Sequence, residues 1–360
     1  MRRISAKYAR PGMVLSLPVY DNYGNLLLYP TTRLDEENIQ LMLQSGVSEI
    51  FLEDWRTNDV PIVLMFSPEL EGRLTRAYHH LVIDNRGKSS ISRFSLDEVQ
   101  VAVVDLTRNL GLESIGELNA TGCIFPEDYI YVQPVKTAII SMAIGHKIGL
   151  PKGELIKLGM AAVLKDVGYL VMPPEVLNKL SENGEEDVSL VADHPVLGYK
   201  LLSQSQSTSG DVARAVLQHH EHWDGSGYPQ GLKGEAISHF AQIIAIADKY
   251  SSFLLIKPGQ SRTLSHEIIE YIMAYSGEMF KPDLVEVFVR QIPCYPSGLS
   301  IELNTKERGI ISDPNLGFIG RPIIRICYNS RGLPVSEPYD IDLSKPENQH
   351  RLITRVLEYD

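Results

Sequence analysis

Two aspartates stand out because helical spacing places each among apolar residues. Ile237, Phe240, Ala241, Ile244, Ala245, Asp248, Ser252 and Leu255 recur at i, i+3 and i+4 and define one inward face. The same count over residues 154–168 puts Leu155, Leu158, Gly159, Ala162 and Asp166 on one stripe. A buried carboxylate without a partner is costly or takes up a proton, so two of them facing one core call for a cation between them. That cation is a metal, a lysine or an arginine. Residues 212–223 add His219, His220 and His222, of which His219 shares a face with Val212, Ala215, Val216 and Trp223. His194 follows Asp193 and heads a further helical run. Aspartates and histidines on separate helices make an oxygen and imidazole set suited to Fe, Mn or Zn. Taken singly, each is more often a satisfied core or surface residue than a ligand.

The elements that must position these residues are predominantly helical. Residues 13–28 read as two β-rich runs around the turn Asp21-Asn22-Tyr23-Gly24, followed by a short helix ending near Gly46 and a strand over 47–52. Residues 67–112 are helical in pattern, broken by the polar stretch 84–92, with Ser95-Leu96-Asp97-Glu98 as a capping box. From 127 to about 290 nearly every segment has helical period. After Pro293 short β-like runs appear at 299–303, 309–312 and 322–328, with a hairpin over Asn329-Ser330-Arg331-Gly332. The predicted fold is mainly α: a helical bundle with a small N-terminal α/β module and a small C-terminal β module. The predicted segments are 1–57, a helical connector over 58–120, a helical domain over 121–292, and 293–360.

Composition narrows the function. Of 360 residues 44% are hydrophobic and 22% charged, and 34 Lys plus Arg against 45 Asp plus Glu leave a formal charge of -11. That balance argues against duplex nucleic acid as a partner and leaves room for a small anionic ligand in a local pocket. Cys123, Cys294 and Cys327 are odd in number and far apart, which argues against a disulfide framework and a CxxC zinc site. No apolar run approaches the ~18–20 residues of a membrane span, and Lys7, Arg10 and Pro11 interrupt any signal-like segment. The expected location is cytoplasmic.

The most specific segment is HHEHWDGSGYPQGLKGEAISHFAQIIAIADKYSSFL, residues 219–254. With its HHExxDGxGYP run and the Ala-Asp near the end of the next helix, the chain resembles the HD-GYP subgroup of the HD metal-dependent phosphohydrolase superfamily. The specific match extends over 128–290, and the flanking modules are similar to those the family often carries. The resemblance implies an HD-type bundle, cyclic di-GMP or a related nucleotide as ligand, and two or three metal ions that activate water and hold the phosphodiester. It further implies metal ligation by Asp166, His194, His219, His220 and Asp248. The loop Asp224-Gly225-Ser226-Gly227-Tyr228-Pro229 becomes a substrate wall or a docking surface for partners such as diguanylate cyclases, although its glycines and proline alone report only a fixed turn.

Several family positions are substituted. The histidine of the His-Asp pair is Lys165, the histidine of the DxYxxxH stretch is Gln133, and the lysine of Asp-x-Gly-Lys is Tyr169. The family's arginine ahead of the last aspartate is Gln242, while His146, His239 and Glu127 are the nearby candidates to rebuild the lost ligands. Lys233, Lys257 and Arg262 are cations able to meet phosphates or simply to face solvent. A protonated lysine has no lone pair, so Lys165 is expected to lie between Asp166 and Asp248 in place of metal charge. The resulting expectation is a degenerate member holding at most one divalent transition metal, with weak or no hydrolysis. An active metal-dependent cyclic di-GMP phosphodiesterase and a ligand-free helical scaffold are the alternatives.

Overall fold

The computed structural model describes residues 1–60, 62, 64–110, 129–173, 191–205, 207–255 and 263–357. The N-terminal part contains β1 (Arg2–Ser5), β2 (Val19–Tyr20), β3 (Leu26–Leu28), α1 (Glu36–Gln44) and β4 (Glu49–Leu52). Strands β1 and β4 pair antiparallel, as do β2 and β3. Asp21 Oδ1 accepts from the Tyr23 and Asn25 amides at 2.9 and 2.8 Å, which sets the β2–β3 turn, and Gly24 supplies φ +83°.

Helices α2 (Pro68–Asn85) and α3 (Arg93–Asn109) follow. The start of α3 differs from the expected capping box. Ser92, not Ser95, precedes the helix, because the Asn85 side-chain Oδ1 accepts from the Ser92 amide at 2.7 Å and fixes the turn earlier. Ser95 lies buried one turn inside, with its hydroxyl 3.4 Å from Asp84 Oδ2.

The helical bundle comprises α4 (Tyr129–Lys147), α5 (Lys152–Val163), a 3₁₀ turn over Val167–Val171, α6 (His194–Ser203), α7 (Gly210–Gln218), α8 (His239–Leu254), α9 (Ser265–Ala274) and α10 (Pro282–Val289). Helix α4 is buried continuously from Tyr131 to Gly145, as its nearly unbroken apolar sequence requires of a helix in the middle of a bundle. One apolar cluster runs from Met65 in front of α2 to Ile292 after α10, so α2 and α3 share their core with the later helices. The β2–β3 hairpin tip rests on α2. Arg76 donates to the Gly24 carbonyl at 2.7 Å, and a Cβ at Gly24 would lie 2.1 Å from the Gly72 carbonyl oxygen.

The C-terminal part is an antiparallel sheet of β5 (Ser300–Leu303), β6 (Arg308–Asp313), β7 (Ile323–Tyr328), β8 (Pro334–Asp342) and β9 (Ile353–Leu357), in the order β8-β7-β6-β5-β9. It has its own apolar cluster around Ile301, Ile311, Ile324 and Ile341. The fold is mainly α with small β-containing modules at both ends. Cys294 and Cys327 are free thiols, whereas Cys123 lies outside the described residues. Among the described residues no helix is long and apolar enough to cross a membrane.

Candidate functional site

Four of the expected site residues converge where the turn after α5, the start of α6 and the end of α7 meet. The ring nitrogens of His194, His219 and His220 come within 4.8 Å of one another. His194 is the first residue of α6, and His219 closes α7. Asp166 does not lie on a helical stripe: α5 ends at Val163, and Asp166 opens the 3₁₀ turn. From there its Oδ1 sits 3.3 Å from His194 Nε2 and 3.7 Å from His219 Nε2.

Hydrogen bonds at the far ring edges orient the imidazoles. His194 Nδ1 lies 2.7 Å from the Val191 carbonyl oxygen, and His219 Nδ1 lies 2.7 Å from that of Val216. A carbonyl oxygen only accepts, so each Nδ1 carries a hydrogen, and a ring in its neutral form presents its Nε2 lone pair inward. Those two Nε2 atoms are 3.2 Å apart. Two lone pairs at that separation repel unless a proton or a cation lies between them. Such a set of second-edge hydrogen bonds is what metal-ligating histidines use. The donors therefore fit one divalent transition metal, with Asp166 as an oxygen ligand.

Asp248, on α8, has different company. Lys165 is 2% exposed, and its ammonium pairs with Asp166 Oδ2 on one side and with Asp248 Oδ1 at 2.8 Å on the other. Gln133, on α4, donates from Nε2 to Asp248 Oδ1 at 2.7 Å and to Ser251 Oγ at 3.0 Å. Burial opposes the charge on Lys165, but the two carboxylates outweigh it and raise the ammonium above its ordinary range. Burial likewise opposes ionisation of Asp166 and Asp248, and Lys165 reverses this, holding both carboxyls below their usual range and Asp166 well below. The donor chemistry around Asp248 is thus satisfied by an ammonium and an amide and does not fit a second metal. Neither His146 nor His239 joins the histidine group among the described residues. Glu127, Asp128, Lys257 and Arg262 lie outside them.

Two tyrosines border the histidines. Tyr169 stacks on His194, with centroids 4.4 Å apart and 28° between planes, and Tyr228 stacks on His220 at 4.7 Å and 17°. Tyr228 belongs to the loop 224–229, where Asp224, Ser226 and Pro229 are exposed and Gly225 and Gly227 half-buried. The sequence reading missed what holds that loop. Glu221, 2% exposed, accepts from the Gln230 and Leu232 amides at 2.7 and 2.9 Å, and Gln242 donates to the carbonyls of Gly234 and Ile237. Glu221 stands inside the HHExxDGxGYP run, and its place within that pattern was the available signal. Tyr78 of α2 was also missed. Burial first, and then the nearby Asp166 carboxylate, hold its phenol well above the usual range.

A helical bundle with an Asp-and-histidine centre assembled from several helices defines the HD class, and residues 124–284 match the HD domain family. Within that class this segment is similar to cyclic di-GMP phosphodiesterases of several bacteria. A cyclic di-GMP phosphodiesterase of Pseudomonas aeruginosa is 26% identical over 228 residues, covering 63% of this chain and 55% of its own length. The cyclic di-GMP phosphodiesterase response regulator RpfG of Xanthomonas campestris is 36% identical over 148 residues, covering 41% and 39%. An HDG"Y"P protein from Bdellovibrio bacteriovorus shares the fold with a TM-score of 0.50 at 16% identity, covering 79% of this chain and 97% of that one. The chain spans about half or less of the length of these two curated relatives.

Proposed function

We propose that this chain is a degenerate HD-GYP protein of cyclic di-GMP signalling that binds a cyclic dinucleotide or a related nucleotide and hydrolyses it slowly or not at all. The observation that carries this reading is Lys165, whose ammonium sits between Asp166 and Asp248 where a second metal would need both carboxylates. Asp166, His194, His219 and His220 would hold one divalent ion of the Fe, Mn or Zn kind. When bound, it supplies positive charge to a phosphodiester oxygen and lowers the pKa of a water. The protein's own groups bind and orient. The Val191 and Val216 carbonyls aim two imidazoles inward, and Lys165 keeps both carboxylates ionised. A fixed ammonium has no open coordination position, so it cannot clamp the attacking and leaving oxygens as a second metal does.

The loop 224–229, braced by Glu221 with Asp224, Ser226 and Pro229 facing solvent, is our candidate surface for signalling proteins such as diguanylate cyclases. We place the action in the cytoplasm. Of the proposed segments 1–57, 58–120, 121–292 and 293–360, the two end modules are supported by separate apolar clusters, whereas the connector 58–120 shares its core with 121–292. The second reading, an active phosphodiesterase, is favoured by the activity named for the relatives.

The deciding assay is cyclic di-GMP hydrolysis with Mn or Fe supplied, beside Asp166→Ala as control. Loss of one metal's transition-state charge is expected to lower the rate by orders of magnitude relative to a complete site. Binding with little turnover agrees with the proposal. Robust turnover that Asp166→Ala abolishes establishes the second reading instead.

A further inference from the structure

Four rings form a continuous run along one side of the site: Tyr169, His194, His220 and Tyr228, with successive centroid spacings of 4.4, 5.0 and 4.7 Å. The backbone sets the first of these contacts. Gly168 lies so close to the start of α6 that a Cβ there would be 2.0 Å from the His194 carbonyl oxygen and 2.8 Å from the Gly198 amide nitrogen. That approach brings the next residue, Tyr169, onto the His194 ring. Both tyrosines are half-buried, whereas His194 is fully buried, so the tyrosines lie on the outer side of the run. Lys165, whose ammonium lies beside this centre, is occupied by two carboxylates.

We propose that Tyr169 is a ligand-binding residue that holds a nucleobase by stacking, so that ligands are recognised by their bases more than by their phosphate charge. This rests on the reading that a nucleotide binds at this site. A ligand whose phosphate reaches His194 and His220 brings its attached base beside the rings that cover them. A tyrosine offers a planar apolar face and a neutral hydroxyl, which favour a heteroaromatic base and give little attraction to a phosphate dianion. Base stacking on an aromatic side chain is a substantial and sequence-tolerant source of affinity.

The test compares dissociation constants of the full-length, metal-supplied chain for cyclic di-GMP, GMP and the base-free ribose 5-phosphate, in the parent, Tyr169→Phe, Tyr169→Ala and Tyr169→Trp. Tyr169→Ala is expected to weaken both guanine ligands about tenfold, the typical loss when one stacking platform is removed. Ribose 5-phosphate should bind the Ala variant as it binds the parent. Tyr169→Phe should stay within about twofold, and Tyr169→Trp should bind the guanine ligands at least as tightly as the parent. Equal weakening of ribose 5-phosphate would mean that Tyr169 only packs against His194, and would overturn the inference. Should Tyr169→Ala fail to fold, weaker guanine binding by Tyr169→Trp would overturn it in the same way. A parent that binds guanine ligands while Tyr169→Ala binds them equally well overturns the inference and leaves the nucleotide reading standing. A parent that binds neither cyclic di-GMP nor GMP overturns both.

Discussion

Lys165 Nζ lies 2.8 Å from Asp248 Oδ1 while pairing with Asp166 on its other side, so a covalently attached cation joins two carboxylates across the centre of the bundle. The charge that brings α8 and the turn after α5 together is therefore part of the chain. Stability of the bundle should not depend on a metal between these two aspartates.

Replacing Lys165 with Met keeps the aliphatic bulk and removes the cation. The two carboxylates are then left uncompensated in a buried setting, which typically costs ~3–5 kcal/mol. Denaturant unfolding in chelator should show that loss as a lower midpoint with an unchanged slope. A midpoint equal to that of the parent would mean the lysine contributes nothing to the fold.

Part of the pH response should come from His220. Burial, reinforced by the neighbouring His219 and His194, pushes its imidazole well below the ordinary histidine range. The unfolded chain then takes up a proton first. This contribution is fully present above about pH 6.5 and is lost as pH falls below that value toward the folded pKa. In chelator, stability should fall as pH moves from 7.5 to 5.5, partly through this group and partly through His222, which burial also holds below the ordinary range. Asp166 and Asp248 are shifted downward, so their contribution persists until about pH 3.8 and declines only below it. His220→Gln should weaken the response between pH 7.5 and 5.5. An undiminished response in that variant would assign the effect elsewhere.

The N-terminal hairpin should depend on Gly24. At φ +83° and with the Gly72 carbonyl oxygen 2.1 Å from the place of a Cβ, alanine is strained by its backbone and by contact with α2. Gly24→Ala should cost on the order of 1–3 kcal/mol and open the Arg76 contact. Hydrogen exchange should then speed up over residues 20–28 and along the facing turns of α2. Unchanged exchange there would show that the hairpin does not rest on the helix as described.

The sequence carried the local features of this fold well. The Asp21–Gly24 turn was legible because one aspartate side chain and one glycine define it without help from distant residues. The hairpin over 329–332 joins β7 to β8 as expected, but the extent of β8 and the whole of β9 were not named: Pro334 and Pro338 argue against a strand, yet β8 is an edge strand, where a missing amide hydrogen can be tolerated. The periodic count carried Asp166 three residues past the true end of α5. Its place beside His194 instead depends on the approach of Gly168 to α6, a tertiary relation with no local signal. Tyr78 and the loop-bracing role of Glu221 depend on partners that become neighbours only in the folded chain.

The central claim is that one cation position belongs to Lys165 and only one is left for a metal. Elemental analysis of the full chain, purified without oxygen and then equilibrated with Fe, Mn or Zn, measures this directly. The account predicts no more than one equivalent per chain, lost in His219→Ala, and a second equivalent gained when Lys165→His and Gln133→His are combined. Two or three equivalents bound by the parent, with metal density beside Asp248, would contradict it.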